Sequence, residues 1–255
     1  MSKRKTKIEW CDYTINCFWG CDGGCYYCAA KKIAGRFGRH IGEKRGYPAE
    51  VANRMAEFKP VFLPDQLEMI AQIREPSKIF ISEMGDWCGI NVPQEWSEQA
   101  LEAMLRYSQH IFITSTKQPR NLLKFDFPKN CWVGVGVTNR EMAVEALSVF
   151  KNIQASVKYL MCEPLLSSMG DLDLSGVSLV IIGSQTQPYR PPEVAWVEEL
   201  AAAADRARAA VFIKNNLKSL LEPVILNYDS IRVGLPVFAQ TPFVKLRQEL
   251  QVSRY

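Results

Sequence analysis

The stretch "PQEWSEQALEAMLRYSQHIFITST", residues 93–116, joins a helical pattern directly to a strand pattern. Pro93 suits the first turn of a helix, and apolar side chains follow it at helical spacing. They are Trp96, Ala100, Leu101, Met104 and Leu105. Residues 110–116 then form a short, largely apolar run, which is typical of a parallel strand covered on both faces. A helix leading into a buried strand is the repeating unit of α/β folds.

The same alternation continues along most of the chain. Strand-like runs occur at 13–18, 78–82, 110–116, 132–138, 157–162, 179–184 and 210–214. Helical patterns cover 140–153 and 191–209, and the second places Val197, Leu200, Ala201 and Ala204 on one face. The chain is therefore predicted to be an α/β protein with about six or seven parallel strands, wound right-handedly into a partial or near-complete TIM-like (β/α) barrel.

Three segments depart from this rhythm. Residues 163–178 are too rich in Gly, Ser and Asp for a helix, so one crossover is expected to be irregular. Residues 35–60 show no clear period and are expected to form an insertion with a short helix at 48–58. The tail at 216–255 is not placed. Because no linker interrupts the chain, residues 1–255 are expected to form one domain.

Composition indicates a globular chain. The 255 residues are 47% hydrophobic and 23% charged. The N-terminus lacks the apolar core of a secretory signal, and no stretch has the roughly 18 apolar residues that span a bilayer. A cytoplasmic protein without membrane contact is expected. In that compartment the eight cysteines stay reduced, which favours metal ligation, redox chemistry or burial over disulfides.

Positive charge is concentrated at the N-terminus. Residues 1–60 hold 12 Lys and Arg against 6 Asp and Glu, a net charge of +6, so the rest of the chain carries −2 of the total +4. Such a segment suits the phosphates of a nucleic acid, nucleotide or cofactor, and it equally suits an ordinary solvated surface.

The stretch "CDGGCYYC", residues 21–28, brings together three thiols in the pattern C-x3-C-x2-C. Gly23 and Gly24 allow the backbone to bend tightly there. Four thiolates close a structural zinc site or an iron–sulfur cluster, so three leave one position open for a substrate or cofactor. The alternative is a closed zinc knuckle in which Cys17 supplies the fourth ligand.

Polar residues follow nearly every predicted strand, at the sheet edge where α/β folds carry their chemistry. They are Ser82, Glu83, Asp86, Thr116, Lys117, Thr138, Asn139, Glu163, Ser184, Gln185, Lys214 and Asn215. Any one of them is explained by an ordinary turn or helix cap. Together they predict a site at this edge.

The cysteine spacing, with Tyr27 directly before the last cysteine, resembles the cluster motif of the radical S-adenosylmethionine (SAM) enzymes. Residues 8–216 also resemble a narrower, uncharacterised radical SAM family associated with phage and mobile-element genomes. The segments that carry this resemblance include "IFISEMGDWCGINVPQEW", "IFITSTKQPRNL", "WVGVGVTN", "YLMCEPLL", "LVIIGSQTQ" and "VFIKN". The shorter first cysteine gap and Cys17 depart from that family's pattern.

The resemblance implies a cofactor set and residue roles. Cys21, Cys25 and Cys28 would ligate a 4Fe-4S cluster whose fourth iron binds SAM. Reductive cleavage of SAM would give a 5′-deoxyadenosyl radical that abstracts hydrogen from a substrate, with electrons from an external donor such as flavodoxin or ferredoxin. Further roles are implied for residues that would contact SAM: Tyr27 at the adenine, Ser82 and Glu83 at the methionine amino group, and Thr138 and Asn139 at the ribose.

The remaining strand-end residues are assigned to the substrate. Lys117 and Lys214 are expected to hold a phosphate or carboxylate, and Glu163 to accept a proton or a hydrogen bond. Cys162 is a candidate hydrogen-atom donor, as a cysteine is in the enzymes that split the spore photoproduct; a buried core thiol is the alternative. Cys88 and Cys131 are expected to be structural.

Three functions remain open from the sequence. The first is a radical SAM enzyme that modifies or repairs a nucleic acid or nucleotide. The second applies the same chemistry to a small metabolite or peptide. The third is a non-catalytic zinc or iron–sulfur protein that binds nucleic acid.

Overall fold

The computed structural model describes residues 6–222, 239–240 and 245–250. The chain divides into two compact units, one formed by residues 1–134 with 154–156 and the other by 135–153 with 157–255. The expectation that all 255 residues form a single domain stays a prediction.

The protein is α/β, as predicted. Its main strands are β1 (Tyr13–Ile15), β4 (Lys78–Ile81), β5 (Ile111–Thr116), β6 (Cys131–Gly136), β7 (Val157–Cys162), β8 (Leu179–Ile182) and β11 (Ala210–Ile213). They form one seven-stranded sheet in the order β1-β4-β5-β6-β7-β8-β11. The register is parallel between β1, β4 and β5 and between β7, β8 and β11. Seven strands and their parallel pairing confirm the coarse fold prediction.

Strands β4 and β5 of the first unit are largely buried on both faces. Ile79 and Ile81 of β4 have no exposed surface, and neither does Phe112 of β5. This unit also contains a short antiparallel pair, β2 (Phe18–Trp19) with β3 (Val61–Phe62). A strand that packs on both sides needs apolar residues at consecutive positions, which explains the continuous apolar runs of β4 and β5.

Helix α4 (Gln94–Arg106) begins after Pro93, near the predicted position. Ala100, Leu101 and Met104 are buried as expected, whereas Leu105 is 62% exposed. The prediction for Leu105 was wrong because each residue advances about 100° around a helix, which turns Leu105 away from the side that Met104 buries.

The expected insertion at 35–60 is instead mostly helical. Helix α1 spans Ala29–Lys44 and α2 spans Ala49–Ala56, so the short predicted helix is present and the long one was missed. The buried positions of α1 are Ala34, Gly38 and Gly42. These small residues give almost no apolar signal, although their four-residue spacing marks one helical face. A short helix α3 (Asp65–Glu68) completes this unit together with α4.

In the second unit, α5 (Arg140–Phe150) and α6 (Val194–Ala207) lie at the two predicted helical patterns. The predicted face of α6 is confirmed, since Val197, Leu200, Ala201 and Ala204 are all fully buried. Residues 163–178 contain no helix, as their composition predicted. A two-residue hairpin pair, β9 (Gln185–Thr186) with β10 (Tyr189–Arg190), follows β8.

Part of the tail that the sequence left unplaced lies along β11. Ile213 N donates to Arg247 O at 2.7 Å, and Phe212 forms an antiparallel bridge with Gln248. A further short antiparallel pair joins β12 (Ala239–Gln240) to β13 (Lys245–Leu246). The rest of 216–255 beyond Glu222 lies outside the described residues.

Across residues 6–222, 239–240 and 245–250, no helix combines the length and apolar character that crossing a bilayer requires.

Candidate functional site

The cysteine loop, residues 21–28, lies between β2 and α1 and is anchored at its first residue. Cys21 N donates to Phe58 O at 3.0 Å, and the preceding Gly20 N donates to Met84 O at 2.8 Å. Gly20 has φ +86°, and a Cβ there would lie 2.2 Å from Lys59 O. Only glycine therefore allows the chain to enter the loop at this point.

Asp22 ties the loop to two other segments of the first unit. Its carboxylate accepts a hydrogen bond from Asn91 Nδ2 at 2.8 Å and pairs with Lys59 Nζ at 3.3 Å. The hydrogen bond from Asn91, together with Lys59, lowers the pKa of Asp22. Asp22 has a structural role in the loop that the sequence did not reveal.

Main-chain groups surround the loop sulfurs. Gly23 N donates to Cys21 Sγ at 3.2 Å, and Lys31 N donates to Cys28 Sγ at 3.3 Å, so Cys28 caps the N-terminus of α1. Cys25 Sγ lies 4.0 Å from Gly23 O. All three are free, partly exposed thiols. N–H groups directed at sulfur are among the features that tune iron–sulfur clusters.

The surroundings of Cys21 disfavour its thiolate. Burial first, and then the charges of Asp86, Cys25 and Cys28, raise the pKa of Cys21 to about 11 against the hydrogen bond from Gly23. Thiolates in such surroundings are costly without a cation, and a bound metal centre supplies that cation.

The fit to a metal centre rests on this chemistry. Three reduced thiols on one short loop, two of them accepting main-chain N–H groups, suit an iron–sulfur cluster. In the part of the chain that the structure describes, no three His, Cys, Asp or Glu side chains are gathered closely enough to hold a metal ion. The loop residues fit the group by type and sequence, and their sulfurs would have to converge to bind it.

Cys17 differs from the loop cysteines. It has no exposed surface, and burial raises the pKa of its thiol to about 12, although the nearby Ser82 hydroxyl opposes part of that rise. A completely buried thiol is less accessible to a metal ion than the three partly exposed loop thiols. This favours the three-cysteine interpretation over the zinc knuckle.

Ser82, directly after β4, has a strained backbone and a buried hydroxyl. Its φ is +70°, which is uncommon for a residue with a Cβ, and its side chain is almost completely buried. Ser82 Oγ has no partner at normal hydrogen-bond geometry among the described residues, although it lies close enough to the Cys17 thiol to lower the pKa of that thiol. Strain and an unsatisfied polar atom at a strand end are features of functional sites. Glu83 beside it is exposed.

Asp86 joins the end of β4 to the end of β5. Its carboxylate accepts hydrogen bonds from Lys117 N at 2.9 Å and from Cys88 N at 3.3 Å. Burial raises the pKa of this carboxyl group, and its charge in turn raises the pKa of Cys21. The sequence placed Asp86 at the strand edge without a role; a buried acid beside the cysteine loop is the additional finding.

Lys117 and Tyr27, predicted for substrate and cofactor respectively, come together in the structure. Lys117 Nζ lies 5.8 Å from the centre of the Tyr27 ring, within the range of a cation–π contact. The end of β5 therefore faces the cysteine loop. Both side chains are partly buried.

In the second unit, the structure pairs two predicted residues. Lys214 Nζ lies 2.7 Å and 2.8 Å from the carboxylate oxygens of Glu163, and Asn216 Nδ2 donates to Glu163 Oε1 at 3.2 Å. Asn216 also accepts from Ser184 N at 3.1 Å. The ends of β7, β8 and β11 thus share one polar cluster, in which Asn216 was not foreseen. Asn216 lies one position beyond the predicted Asn215, and nothing in the sequence distinguished it as a site residue.

Thr138 and Asn139 stand where β6 leads into α5. Asn139 Oδ1 accepts from Met142 N at 3.0 Å and so caps α5, and Thr138 Oγ1 lies 3.4 Å from Met142 Sδ. The Asn139 side chain therefore has a structural task at this helix end. Its implied role at a ribose stays a prediction.

The other predicted cysteines lie in the core. Cys162 has no exposed surface and burial raises the pKa of its thiol, which favours the alternative of a buried core residue. Cys88 and Cys131 are also buried, in agreement with their expected structural role.

Comparison with protein families matches residues 5–219 to a family described as a protein of unknown function, DUF5131. Because the match covers most of the chain, the protein belongs to this family. Searches of curated proteins and of solved structures give no significant match.

Proposed function

We propose that the protein is a radical SAM enzyme. Cys21, Cys25 and Cys28 would hold a 4Fe-4S cluster, which with bound SAM supplies reductive cleavage to methionine and a 5′-deoxyadenosyl radical able to abstract hydrogen from a substrate. The TIM-like barrel of the radical SAM type and a cytoplasmic location are part of this proposal.

The main support for the proposal is the position of the three-cysteine loop. The three-cysteine loop is followed by a helix that its last cysteine caps, and it lies beside polar residues from the ends of two parallel strands of the first unit. Ser82 and Lys117 belong to those strand ends. A closed structural metal site does not require polar side chains nearby. The carboxyl edge of a parallel sheet, where these side chains lie, is where α/β enzymes bind their ligands.

The chain's own residues would bind and orient the cofactor. Ser82 Oγ, buried beside the Cys17 thiol and without a partner at normal hydrogen-bond geometry among the described residues, would donate to the methionine part of SAM, with Glu83 beside it. Tyr27 would present its ring face to the adenine, and the ammonium group of Lys117 near that ring would attract an anionic substrate group. Thr138 and Asn139 would contact the ribose, as the family resemblance implies.

In the second unit, the ammonium group of Lys214 is matched by Glu163. We propose that these two residues act on the substrate as a pair, Glu163 as hydrogen-bond acceptor and Lys214 as the cation that positions its carboxylate. Cys162, whose thiol is completely buried, is assigned in this proposal as the hydrogen-atom donor.

The first experiment tests the cluster. Protein reconstituted anaerobically with iron and sulfide should show the visible absorption of an iron–sulfur cluster and contain iron rather than zinc. Cys25→Ala should abolish both, while Cys11→Ser, which changes another partly exposed thiol outside the loop, should leave both intact. Loss of the cluster in Cys17→Ala at unchanged fold would instead support a four-cysteine site.

The second experiment tests the reaction. Incubation with SAM and dithionite should release 5′-deoxyadenosine from the wild type and none from Cys25→Ala. Retained cleavage in that variant would refute the ligand assignment. Colourless protein with one equivalent of zinc would end the radical interpretation in favour of a zinc protein.

The substrate is proposed to be a nucleic acid or nucleotide, with a small metabolite or peptide as the alternative. The basic N-terminal segment supports the first choice. Binding of an oligonucleotide that weakens steeply with salt would favour it, because neutralised phosphates release counterions. Transfer of deuterium from a labelled candidate into 5′-deoxyadenosine would identify the substrate directly.

A further inference from the structure

Tyr189 presents an exposed aromatic ring just beyond the carboxyl end of β8. It lies in the short hairpin of β9 and β10 and is 50% exposed. Its hydroxyl donates to Asn216 O at 3.2 Å and lies 3.3 Å from Ser219 Oγ. The hairpin is held as well, because Gln185 Nε2 donates to Pro188 O at 2.9 Å. The ring is therefore fixed at its tip while much of it stays accessible, as in a platform on which another ring can stack.

Asn216 connects this ring to the ion pair of Glu163 and Lys214. Its main-chain oxygen accepts from Tyr189, and its Nδ2 donates to Glu163 Oε1 at 3.2 Å. Two further hydrogen bonds, from Nδ2 to Ser184 O at 3.3 Å and from Ser184 N to Oδ1 at 3.1 Å, fix the orientation of the Asn216 amide. The ring and the ion pair thus belong to one patch at the ends of β7, β8 and β11. We call Glu163, Tyr189, Lys214 and Asn216 the second-unit patch.

The ion pair carries no net charge, which limits the ligands that suit the patch. Lys214 Nζ contacts both carboxylate oxygens of Glu163, so the protein itself supplies the anion that was expected at this lysine. A phosphate beside Lys214 would also meet the Glu163 carboxylate, and like charges repel. Lys218, the next cation along the chain, is likewise paired, with Glu222 at 3.3 Å. The patch therefore suits an uncharged group better than a phosphate.

Glu163 retains the capacity to accept another hydrogen bond. A carboxylate offers about four acceptor positions. Among the described residues, Lys214 makes two hydrogen bonds to it and Asn216 makes one. The Glu163 side chain is 19% exposed, so a ligand can reach it. An N–H donor on an uncharged ligand would complete the hydrogen bonds of this carboxylate.

A planar ring that carries an amino group suits both the aromatic platform and the carboxylate. Nucleobases of every kind stack on aromatic side chains, and carboxylates accept from the exocyclic amino group of cytosine. Adenine and guanine carry amino groups as well. In uracil and thymine the ring N–H lies between two carbonyl oxygens, which a carboxylate repels. Bases with an amino group should therefore bind the patch better than uracil or thymine.

We propose that the second-unit patch binds one unpaired nucleobase, with Tyr189 stacked on the ring and Glu163 accepting from its amino group. This assignment rests on the proposed function, in which the substrate is a nucleic acid or nucleotide, and gives Lys214 the task of positioning Glu163 instead of holding a phosphate. A base inside a duplex is stacked on both faces and paired at its edge. The patch therefore selects a base that is free, single-stranded or turned out of a helix.

The test is equilibrium dialysis of labelled nucleosides against the full-length protein, as purified and after reconstitution with iron and sulfide. Wild type should bind adenosine and cytidine more tightly than uridine by about fivefold or more. Tyr189→Leu should weaken adenosine binding by about fivefold or more, because the stacking surface is lost. Tyr189→Phe keeps the ring and loses one hydroxyl, so its affinity should stay within about threefold of wild type.

Two further variants complete the test. Phe37→Leu is the matched control, since it removes a ring of the first unit that is 46% exposed, and it should leave nucleoside affinity unchanged. Glu163→Gln/Lys214→Met removes both charges of the ion pair and should abolish most of the preference for cytidine over uridine. Circular dichroism establishes that each variant is folded.

Failure of the base site and failure of the proposed function give different results. Wild-type protein that binds no nucleoside, or a folded Tyr189→Leu variant with wild-type adenosine affinity, overturns the base site even if SAM is cleaved. Cytidine monophosphate that binds much more tightly than cytidine, with the difference lost in Lys214→Met, makes the patch a phosphate site and also overturns it. Expected nucleoside preferences in protein that releases no 5′-deoxyadenosine with dithionite would support the base site and refute the radical chemistry.

Discussion

Lys214 Nζ contacts both carboxylate oxygens of Glu163, at 2.7 Å and 2.8 Å, and the two side chains are only 16% and 19% exposed. These residues come from the end of β11 and the residue after β7. The pair therefore connects two strand ends of the second unit that are separated by about fifty residues of sequence. Glu163 and Lys214, which the sequence suggested separately as substrate-binding residues, therefore form an ion pair.

Breaking this pair should cost more than breaking a surface pair. Lys214→Met leaves the Glu163 carboxylate largely desolvated, so we expect the free energy of unfolding to fall by about 2 kcal/mol. Adding Glu163→Gln should restore part of that loss, because the unpaired charge is then removed. Urea denaturation of the single and double variants measures both effects.

The control for that experiment is Arg39→Met, which breaks the exposed Arg39–Glu43 pair on α1. Its effect should be below about 0.5 kcal/mol, since solvent-exposed pairs contribute little. Equal effects at both positions would contradict the importance of burial at Glu163.

Gly183 provides the space that the pair occupies. A Cβ at this position would lie 3.1 Å from Glu163 Cδ and 3.1 Å from Lys214 Cδ. Gly183→Ala should therefore displace the pair and reduce the free energy of unfolding by about 1 kcal/mol. Gly35→Ala is the matched control, because nothing lies within 4 Å of its Cβ position. On helix α1 that change should stabilise by up to about 1 kcal/mol. In thermal melts, Gly183→Ala should lower the melting temperature and Gly35→Ala should raise it. A raised melting temperature in both variants would contradict this account.

Ser82 should prove strained in the absence of ligand. Its positive φ suits glycine, so Ser82→Gly is expected to raise the free energy of unfolding by about 1 kcal/mol, whereas Ser82→Ala keeps the strain. Both variants lose the hydroxyl and should show weaker SAM binding by calorimetry. A destabilised Ser82→Gly variant would mean that the buried hydroxyl, rather than the backbone, determines stability at this position.

His110 should make the protein less stable in mild acid. Burial lowers the pKa of its ring below 6.5, partly opposed by the main chain of Ile73. The unfolded chain then binds a proton more readily than the folded one, so the stability contribution is complete above about pH 6.5 and is lost as pH falls through the folded-state pKa. Urea denaturation at several pH values between 7.5 and 5 should show a steeper decline for wild type than for His110→Leu.

His40 is the control for this effect because it is exposed and is the other of the two histidines. His40→Gln should keep the wild-type pH dependence. If His110→Leu and wild type decline in parallel, the buried ring is not the group that titrates.

Much of the strand pattern could be predicted from residue order alone. Runs such as residues 79–81 and 179–182 are apolar at consecutive positions, and both lie buried in parallel strands. Helix α1 escaped prediction because its buried face consists of Ala34, Gly38 and Gly42, while two of its large apolar residues face outward. Hydrophobic periodicity detects faces that bury large side chains, and this face buries small ones.

The sequence identified candidate site residues more readily than the contacts between them. Cys21, Cys25 and Cys28 stand out by local spacing, and Lys117, Glu163 and Lys214 by following apolar runs. The sequence contained no sign that Asp86 would accept the main-chain N–H of Lys117, or that Asn216 would join Glu163. Such contacts join residues about thirty to fifty positions apart, and no periodic pattern records them.

By itself, then, the sequence determined the alternation of strands and helices and the position of a loop with three closely spaced cysteines, because both are written in neighbouring residues. Only the tertiary structure decided which polar groups meet at the strand ends, which thiols are buried, and which side of α1 faces solvent. These depend on which strands lie side by side and on how closely glycines let helices approach, and that is settled by packing.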